Sequence, residues 1–169
     1  MANPVLENFY LRGLQGLPAL TLFVLTAIDG ILLPSFLSLD LHLVFSGLYY
    51  WLIYRPGLIP PFLILLVGLF RDSITGNIFG FSSFMLLFAY AVGFGIRQHL
   101  GGRSFAMIWS AFIFFLIVTQ TLEWTIFMVL VHSFIDPLSL LIQMSLTILF
   151  YPLLTLILFK VHNWVPRKH

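Results

Sequence analysis

Four ionisable side chains lie inside long apolar stretches of the sequence, where such groups are rare. They are the acids Asp29, Asp72 and Glu123 and the base Arg71. Two carboxyl groups that share a proton across a water molecule form the catalytic pair of aspartyl proteases, and Asp29 with Asp72 could supply such a pair within a membrane. In the structural alternative, each acid pairs with Arg71 or accepts hydrogen bonds from backbone amides near a helix end.

We favour the structural interpretation and expect neither an enzyme nor catalytic residues. The Asn-containing Asp motifs of small lipoprotein signal peptidases are missing, and neither Asp29 nor Glu123 lies in a recognisable catalytic motif. Adjacent residues of a helix point about 100° apart, so Arg71 should face an acid on another helix, either Asp29 or Glu123. The five histidines are scattered over loops and segment ends without a metal-binding spacing, and there is no cysteine, so we expect no metal and no cofactor.

The composition is that of an integral membrane protein. Of the 169 residues, 60% are hydrophobic and only 8% are charged, and the mean hydropathy is +1.05. A soluble domain normally has about a quarter of its residues charged. The net charge of +2 comes without any basic run, which argues against nucleic acid as a partner. We therefore expect a single all-α transmembrane domain over 1–169, surrounded by membrane lipid.

Breaks at charges, Pro and Gly predict six transmembrane helices. Their expected ranges are 14–37, 41–54, 58–74, 79–96, 104–131 and 138–161. All the basic residues except Arg71 then fall on one side, namely Arg12, Arg55, Arg97, Arg103, Lys160, Arg167 and Lys168. The positive-inside rule places that side, with both the N- and the C-terminus, in the cytoplasm. The acids and Arg71 are expected in the outer half of the membrane. Aromatic residues agree with this orientation: at the inner end of the second span lie Tyr49, Tyr50, Trp51 and Tyr54, and just after the sixth lies Trp164.

A row of small residues at a spacing of four runs through the third segment and beyond it. It consists of Gly68, Asp72, Gly76 and Gly80. Small residues on one face let another helix approach closely in lipid. A turn is expected at 75–77, with backbone close to backbone at Gly76 and Gly80. A side chain at these glycines is disfavoured if their φ is positive, and it forces the helices apart if they touch there. Asp72 is expected to accept hydrogen bonds from the amides of this turn or to pair with an arginine.

The sixth segment carries a polar stripe that is also spaced by four. Its members are Ser139, Gln143, Thr147, Tyr151 and Thr155. We expect this stripe to face other helices and to form hydrogen bonds across them, and we expect Pro152 to kink the helix. Polar stripes and outer-half acids could also line a solute cavity, so a small-molecule transporter subunit is an alternative function.

The order of several residues resembles the bacterial rod shape-determining membrane protein family MreD. The residues in that order are Tyr50-Trp51, Arg55-Pro56, the row from Gly68 to Gly80, Tyr90, Trp109, Trp124 and Tyr151-Pro152. The resemblance covers nearly the whole chain, and the Gly-x3-Asp-x3-Gly-x3-Gly row is its most specific part. Arg71 departs from the pattern, since an aliphatic residue is expected before the Asp.

The resemblance implies a non-enzymatic scaffold of the machinery that elongates the lateral cell wall, in the bacterial inner (cytoplasmic) membrane. The partner it implies is MreC, which has one membrane span and an outer coiled coil. Directly or indirectly, it also implies the MreB cytoskeleton, a penicillin-binding transpeptidase and a RodA-like glycosyltransferase. The family is distantly similar in fold to the substrate-binding subunits of energy-coupling-factor transporters. The alternative function is therefore that of such a substrate-binding subunit.

Overall fold

The computed structural model describes residues 16–32, 41–76, 78–100, 104–132 and 136–162. Over these residues the protein is all-α, with 88% of them in helices and no strand, as predicted. The six helices are α1 (Leu17–Ala27), α2 (Leu43–Tyr54), α3 (Pro61–Thr75), α4 (Phe81–Arg97), α5 (Phe105–Val131) and α6 (Pro137–His162). A π-helical turn, Ile28–Leu32, continues α1, and a 3-10 turn, Pro56–Leu58, follows α2.

The ends of α3 follow from its proline and glycine residues. Pro60 is extended and Pro61 opens the helix, where a missing amide proton costs little. Gly76 adopts a left-handed conformation with φ of 67° and closes the helix, and its amide donates to the carbonyl of Asp72 at 3.0 Å. Gly80, with φ of 93°, precedes α4. Asn77, part of the predicted turn, lies outside the described residues.

Neighbouring helices run in opposite directions. Trp51, near the end of α2, donates from Nε1 to the hydroxyl of Thr21 near the start of α1, at 2.9 Å. Asp29, just after α1, contacts the start of α2. These two contacts make α1 and α2 antiparallel, and the contact of Arg71, late in α3, with His42 before α2 makes α3 antiparallel to α2 as well.

The other contacts extend this alternation to all six helices. The start and the end of α2 meet the middle and the end of α6, because the His42 amide faces the Thr147 hydroxyl and Arg55 faces His162. The side chain of Leu52 packs at Gly93, so the end of α4 also lies beside the end of α2. The Tyr49 hydroxyl donates to the carbonyl of Ile108 at 3.1 Å, which sets the start of α5 against the later half of α2. Hence α2, α4 and α6 run one way, and α1, α3 and α5 run the other way.

An aromatic core occupies the bundle around the later half of α2. Tyr49, Tyr50 and Trp51 are fully buried. Tyr49 packs against three aromatic rings on α5 and α6, those of Phe112, Phe115 and Tyr151. The three residues lie near the end of α2, as expected, but they face other helices. Trp164 lies outside the described residues. Stacking against α5 and α6 removes more apolar surface than a place at the headgroups would.

Two helices are long and apolar enough to cross a membrane by length and composition, over 105–130 and 137–162. They match the predicted fifth and sixth spans closely. The helices α1, α2 and α4 are apolar but shorter. The outward side of α6 is made of large apolar residues, including Leu141, Leu149, Leu153, Leu156 and Ile157.

The polar stripe of α6 is only partly buried. Thr147, Tyr151 and Thr155 are buried, Gln143 is half-buried, and Ser139 is exposed. The hydroxyls of Thr147 and Thr155 donate to carbonyls of their own helix at 2.8 Å. The expected hydrogen bonds across helices are thus largely replaced by bonds within α6, which satisfy a buried hydroxyl without a second helix. Pro152 lies inside the continuous helix α6.

Candidate functional site

Two of the predicted acids cap the N-termini of helices. The carboxylate of Asp29 accepts hydrogen bonds from the amides of Leu43 at 3.1 Å and Val44 at 2.9 Å. The carboxylate of Asp72 accepts from the amides of Gly80 at 2.7 Å and Ser82 at 3.0 Å. The first amides of a helix lack partners within the helix, and its dipole favours a negative charge there. Each acid thus stabilises the start of the helix that follows its own.

This arrangement bears on the aspartyl protease hypothesis. The hydrogen bonds described for Asp29 lead to α2, and those for Asp72 lead to α4. Both oxygens of each carboxylate accept from a backbone amide of a different helix start. A protease dyad needs two carboxyl groups that share one proton. The geometry therefore favours the structural interpretation of these acids.

Of the predicted glycine row, it is Gly68 that brings two helices into close contact. A Cβ at Gly68 would lie 2.6 Å from the amide nitrogen of Ser83 on α4 and still closer to its Cα. The Ser83 hydroxyl donates to the carbonyl of Leu65 at 3.1 Å and joins the same two helices. At Gly76 and Gly80 a Cβ would meet nothing within 4 Å. Of the two reasons expected to disfavour a side chain at these glycines, crowding between helices therefore does not apply among the described residues, and the positive φ does.

Arg71 joins three helices. Its Nη1 lies 3.4 Å from Oε1 of Glu123 on α5, and its Nη2 lies 3.4 Å from Nδ1 of His42 before α2. The guanidinium also lies over the ring of Phe45, 5.5 Å from the centroid. The prediction that Arg71 faces an acid on another helix is confirmed, with Glu123 as that acid. The contact with His42 was not predicted.

A cavity of about 490 Å³ opens beside this ion pair. Side chains from the ends of all six helices line it: Asp29, Gly30, Leu41, His42, Arg71, Ile74, Thr75, Phe81, Gln120, Glu123, Trp124, Phe127, Leu140 and Gln143. Four of the predicted site residues meet here, namely Asp29, Arg71, Glu123 and Gln143. The others, which are Gly68, Asp72, Gly76, Gly80 and Pro152, are not among its lining residues.

One face of α5 forms a polar wall of this cavity, and of its members only Glu123 was predicted as a site residue. Gln120, Glu123 and Trp124 follow the i, i+3, i+4 spacing of a helix face. The buried atoms Nε2 of Gln120, Oε2 of Glu123 and Nε1 of Trp124 have no hydrogen-bond partner among the described residues. Each such atom destabilises the fold, so the wall is polar beyond what packing needs. The same spacing in the sequence was the available signal.

Among the residues that the structure describes, no group of three or more His, Asp or Glu side chains could hold a metal ion. The polar groups of the cavity include one guanidinium, two carboxylates, one imidazole, two amides, one hydroxyl and one indole N–H. Such a set suits the binding of a polar organic molecule.

No protein-family profile, curated protein or solved structure matches the chain.

Proposed function

We propose that this protein is a six-span protein of the bacterial inner membrane that acts as a non-enzymatic scaffold in lateral cell-wall elongation, with MreC as its direct partner. The resemblance to the MreD family supports the role. The observation that carries the non-enzymatic part is the capping of α2 and α4 by Asp29 and Asp72. The two acids that could form a dyad each satisfy a different helix start instead.

The alternating directions of the helices support the six-span topology. Arg55, Arg97 and Lys160 lie at or near the ends of α2, α4 and α6, which share one end of the bundle. Arg71 lies at the opposite end, beside the start of α2. This separation is what the positive-inside rule requires of a protein whose cytoplasmic side is the basic one.

The short length of α2 is compatible with a membrane location. Its 12 residues extend about 18 Å at 1.5 Å per residue, less than the roughly 30 Å of a bilayer's hydrocarbon core. Nine consecutive residues of this helix, Val44 to Leu52, are buried. A helix enclosed by others need not match the bilayer, because protein rather than lipid surrounds it.

Affinity purification in a mild detergent tests the scaffold function. We expect MreC and a penicillin-binding transpeptidase to co-purify with the tagged protein from a rod-shaped bacterium. An unrelated polytopic protein with the same tag serves as the control. Preparations in which neither protein is enriched over this control would contradict the proposal.

A second candidate function is the substrate-binding subunit of an energy-coupling-factor type transporter. The observation that favours it is the cavity lined by Arg71 and Glu123. A scaffold needs only packing faces, whereas a solute-binding subunit needs such a cavity. The same purification separates the two functions, since a transporter subunit should co-purify with ATPase-bearing subunits.

A further inference from the structure

The cavity has the size of a binding site for a small organic molecule. Its volume of about 490 Å³ falls within the range of roughly 300–1,000 Å³ that is typical of such sites. One water molecule takes about 30 Å³ in the liquid. The space is therefore far larger than one or two bridging waters between Arg71 and its partners would need.

The ion pair in the wall is loosely made. A single contact of 3.4 Å joins Arg71 to Glu123, whereas strong charge-assisted hydrogen bonds measure about 2.7–2.9 Å and often come in pairs. The side chains of Arg71 and Glu123 remain 10% and 14% exposed, and both line the cavity. Further N–H groups of the guanidinium have no partner among the described residues, so a ligand oxygen can bind there.

The balance of charge in the cavity selects the kind of ligand. Arg71 and Glu123 neutralise each other, and Asp29 is held by two amides at the start of α2. A ligand with a net charge would pair with one member of the ion pair and leave the other charge buried and uncompensated, which is strongly unfavourable. A molecule that carries both charges can pair with both members.

The rest of the cavity wall is apolar and suits the apolar part of a ligand. Three aromatic residues, Phe81, Trp124 and Phe127, line the cavity together with Ile74 and Leu140. Aromatic rings bury a large apolar area and also stack on flat groups. Apolar lining with a few convergent polar groups is the usual composition of a small-molecule site.

We propose that the cavity binds a small zwitterion of the amino-acid type, with its carboxylate on Arg71, its ammonium group on Glu123 and its side chain against the aromatic wall. This inference deepens the second candidate function by naming its substrate class. It is tested on the purified protein alone, so its outcome is separate from which membrane proteins co-purify.

The first test measures binding of each standard amino acid in turn by thermal shift and by equilibrium dialysis. At least one amino acid should bind saturably. Its analogues that lack only the carboxylate or only the ammonium group should bind about tenfold more weakly or worse, because each loses a charge-assisted hydrogen bond. The proposal is wrong if no amino acid binds up to roughly 10 mM, or if a singly charged analogue binds as well as the zwitterion.

The second test locates the site with variants that are chosen to keep the fold. The double variant R71Q/E123Q removes both charges and keeps hydrogen-bonding groups, and it should lose affinity by about tenfold or more. Leu140→Trp should weaken binding, because the larger side chain takes space from the ligand in the cavity that Leu140 lines. Leu156→Trp is its matched control, because Leu156 lies on the exposed side of the same helix, and it should bind normally.

Monodisperse elution of each variant in size-exclusion chromatography establishes that it is folded. Unchanged affinity in folded R71Q/E123Q or in folded Leu140→Trp would overturn the assignment.

Discussion

The carboxylate of Asp72 lies 2.7 Å from the amide nitrogen of Gly80, across the corner between α3 and α4. Its other oxygen accepts from the amide of Ser82. Asp72 therefore holds the start of α4 from the end of α3, and Asp29 holds the start of α2 in the same way. The first amides of a helix have no partner within that helix, and in both places an acid supplied by the preceding helix accepts from them.

Substitutions of Asp72 should lower the stability of the protein in proportion to the number of amides that lose their acceptor. Asp72→Asn keeps one acceptor oxygen and should cost about 1 kcal/mol, whereas Asp72→Leu leaves two amides without partners and should cost roughly 2–4 kcal/mol. Ser73→Ala is the control, because Ser73 is exposed and its hydroxyl bonds only to Leu69 of its own helix. Thermal stability of the detergent-solubilised protein checks this order, and equal stability of the wild type and Asp72→Leu would refute the capping role.

At Gly76 the effect of a substitution on stability should depend on whether the new residue accepts a left-handed backbone, and not on its volume. Its φ of 67° is left-handed, and no atom lies within 4 Å of the position of a Cβ. Gly76→Val should therefore destabilise the protein by about 1–2 kcal/mol or more, whereas Gly76→Asn should be nearly neutral, because Asn accepts this conformation. If both variants melt alike, volume and not φ decides at this position. The measurement is the melting temperature of the two purified variants.

The corner between α3 and α4 was the most predictable part of the molecule. Glycine with positive φ and a carboxylate near a helix start are strong local signals, so Asp72, Gly76 and Gly80 could be assigned from the sequence. Glu123 was one of two candidate partners for Arg71, and the structure selects it. These features depend on a few residues close to one another in the chain or on charges that must pair.

The cavity and the aromatic core were not predictable in the same way. The roles of His42 and Gln120 depend on how α2 and α5 are rotated relative to α3, which no local pattern specifies. Tyr49 and Trp51 suit a membrane interface and a packed interior equally well, because an aromatic ring with a polar tip is stable in both. Their full burial follows from stacking partners that are far away in the sequence.

Asp29→Asn should lower stability by about as much as Asp72→Asn, because each acid caps the start of a helix. One carboxylate oxygen and the charge at the start of α2 are lost, so we expect a loss of about 1 kcal/mol. Leu20→Ala on the exposed side of α1 is the control and should melt close to the wild type.

The same variants test the protease hypothesis. A purified lipoprotein precursor should remain uncleaved by the wild type and by both Asp variants. Cleavage by the wild type that disappears in Asp29→Asn and in Asp72→Asn would establish the enzyme after all.

The proposed six-span topology predicts the side of the membrane on which each reporter fusion lies. A fusion at Lys168 should report the cytoplasm, and one inserted at 133–137 should report the outside, because α5 and α6 run in opposite directions and both are long enough to cross a bilayer. A third fusion at Gly57, between α2 and α3, should agree with Lys168. Two fusions on either side of α6 that report the same compartment would contradict the predicted number of spans.

The close approach of α3 and α4 at Gly68 gives a further prediction. Gly68→Ala places a methyl group 2.6 Å from the amide nitrogen of Ser83, and backbone cannot move aside as a flexible side chain can. We expect a loss of about 3 kcal/mol, the upper part of the range for overpacking. Gly95→Ala is the matched control, because Gly95 is exposed in α4 with nothing within 4 Å of a Cβ, and alanine should add about 0.5–1 kcal/mol through helix propensity. Melting temperatures of the two variants should therefore move in opposite directions, and a Gly68→Ala protein as stable as the wild type would mean that α3 and α4 are not packed backbone to backbone.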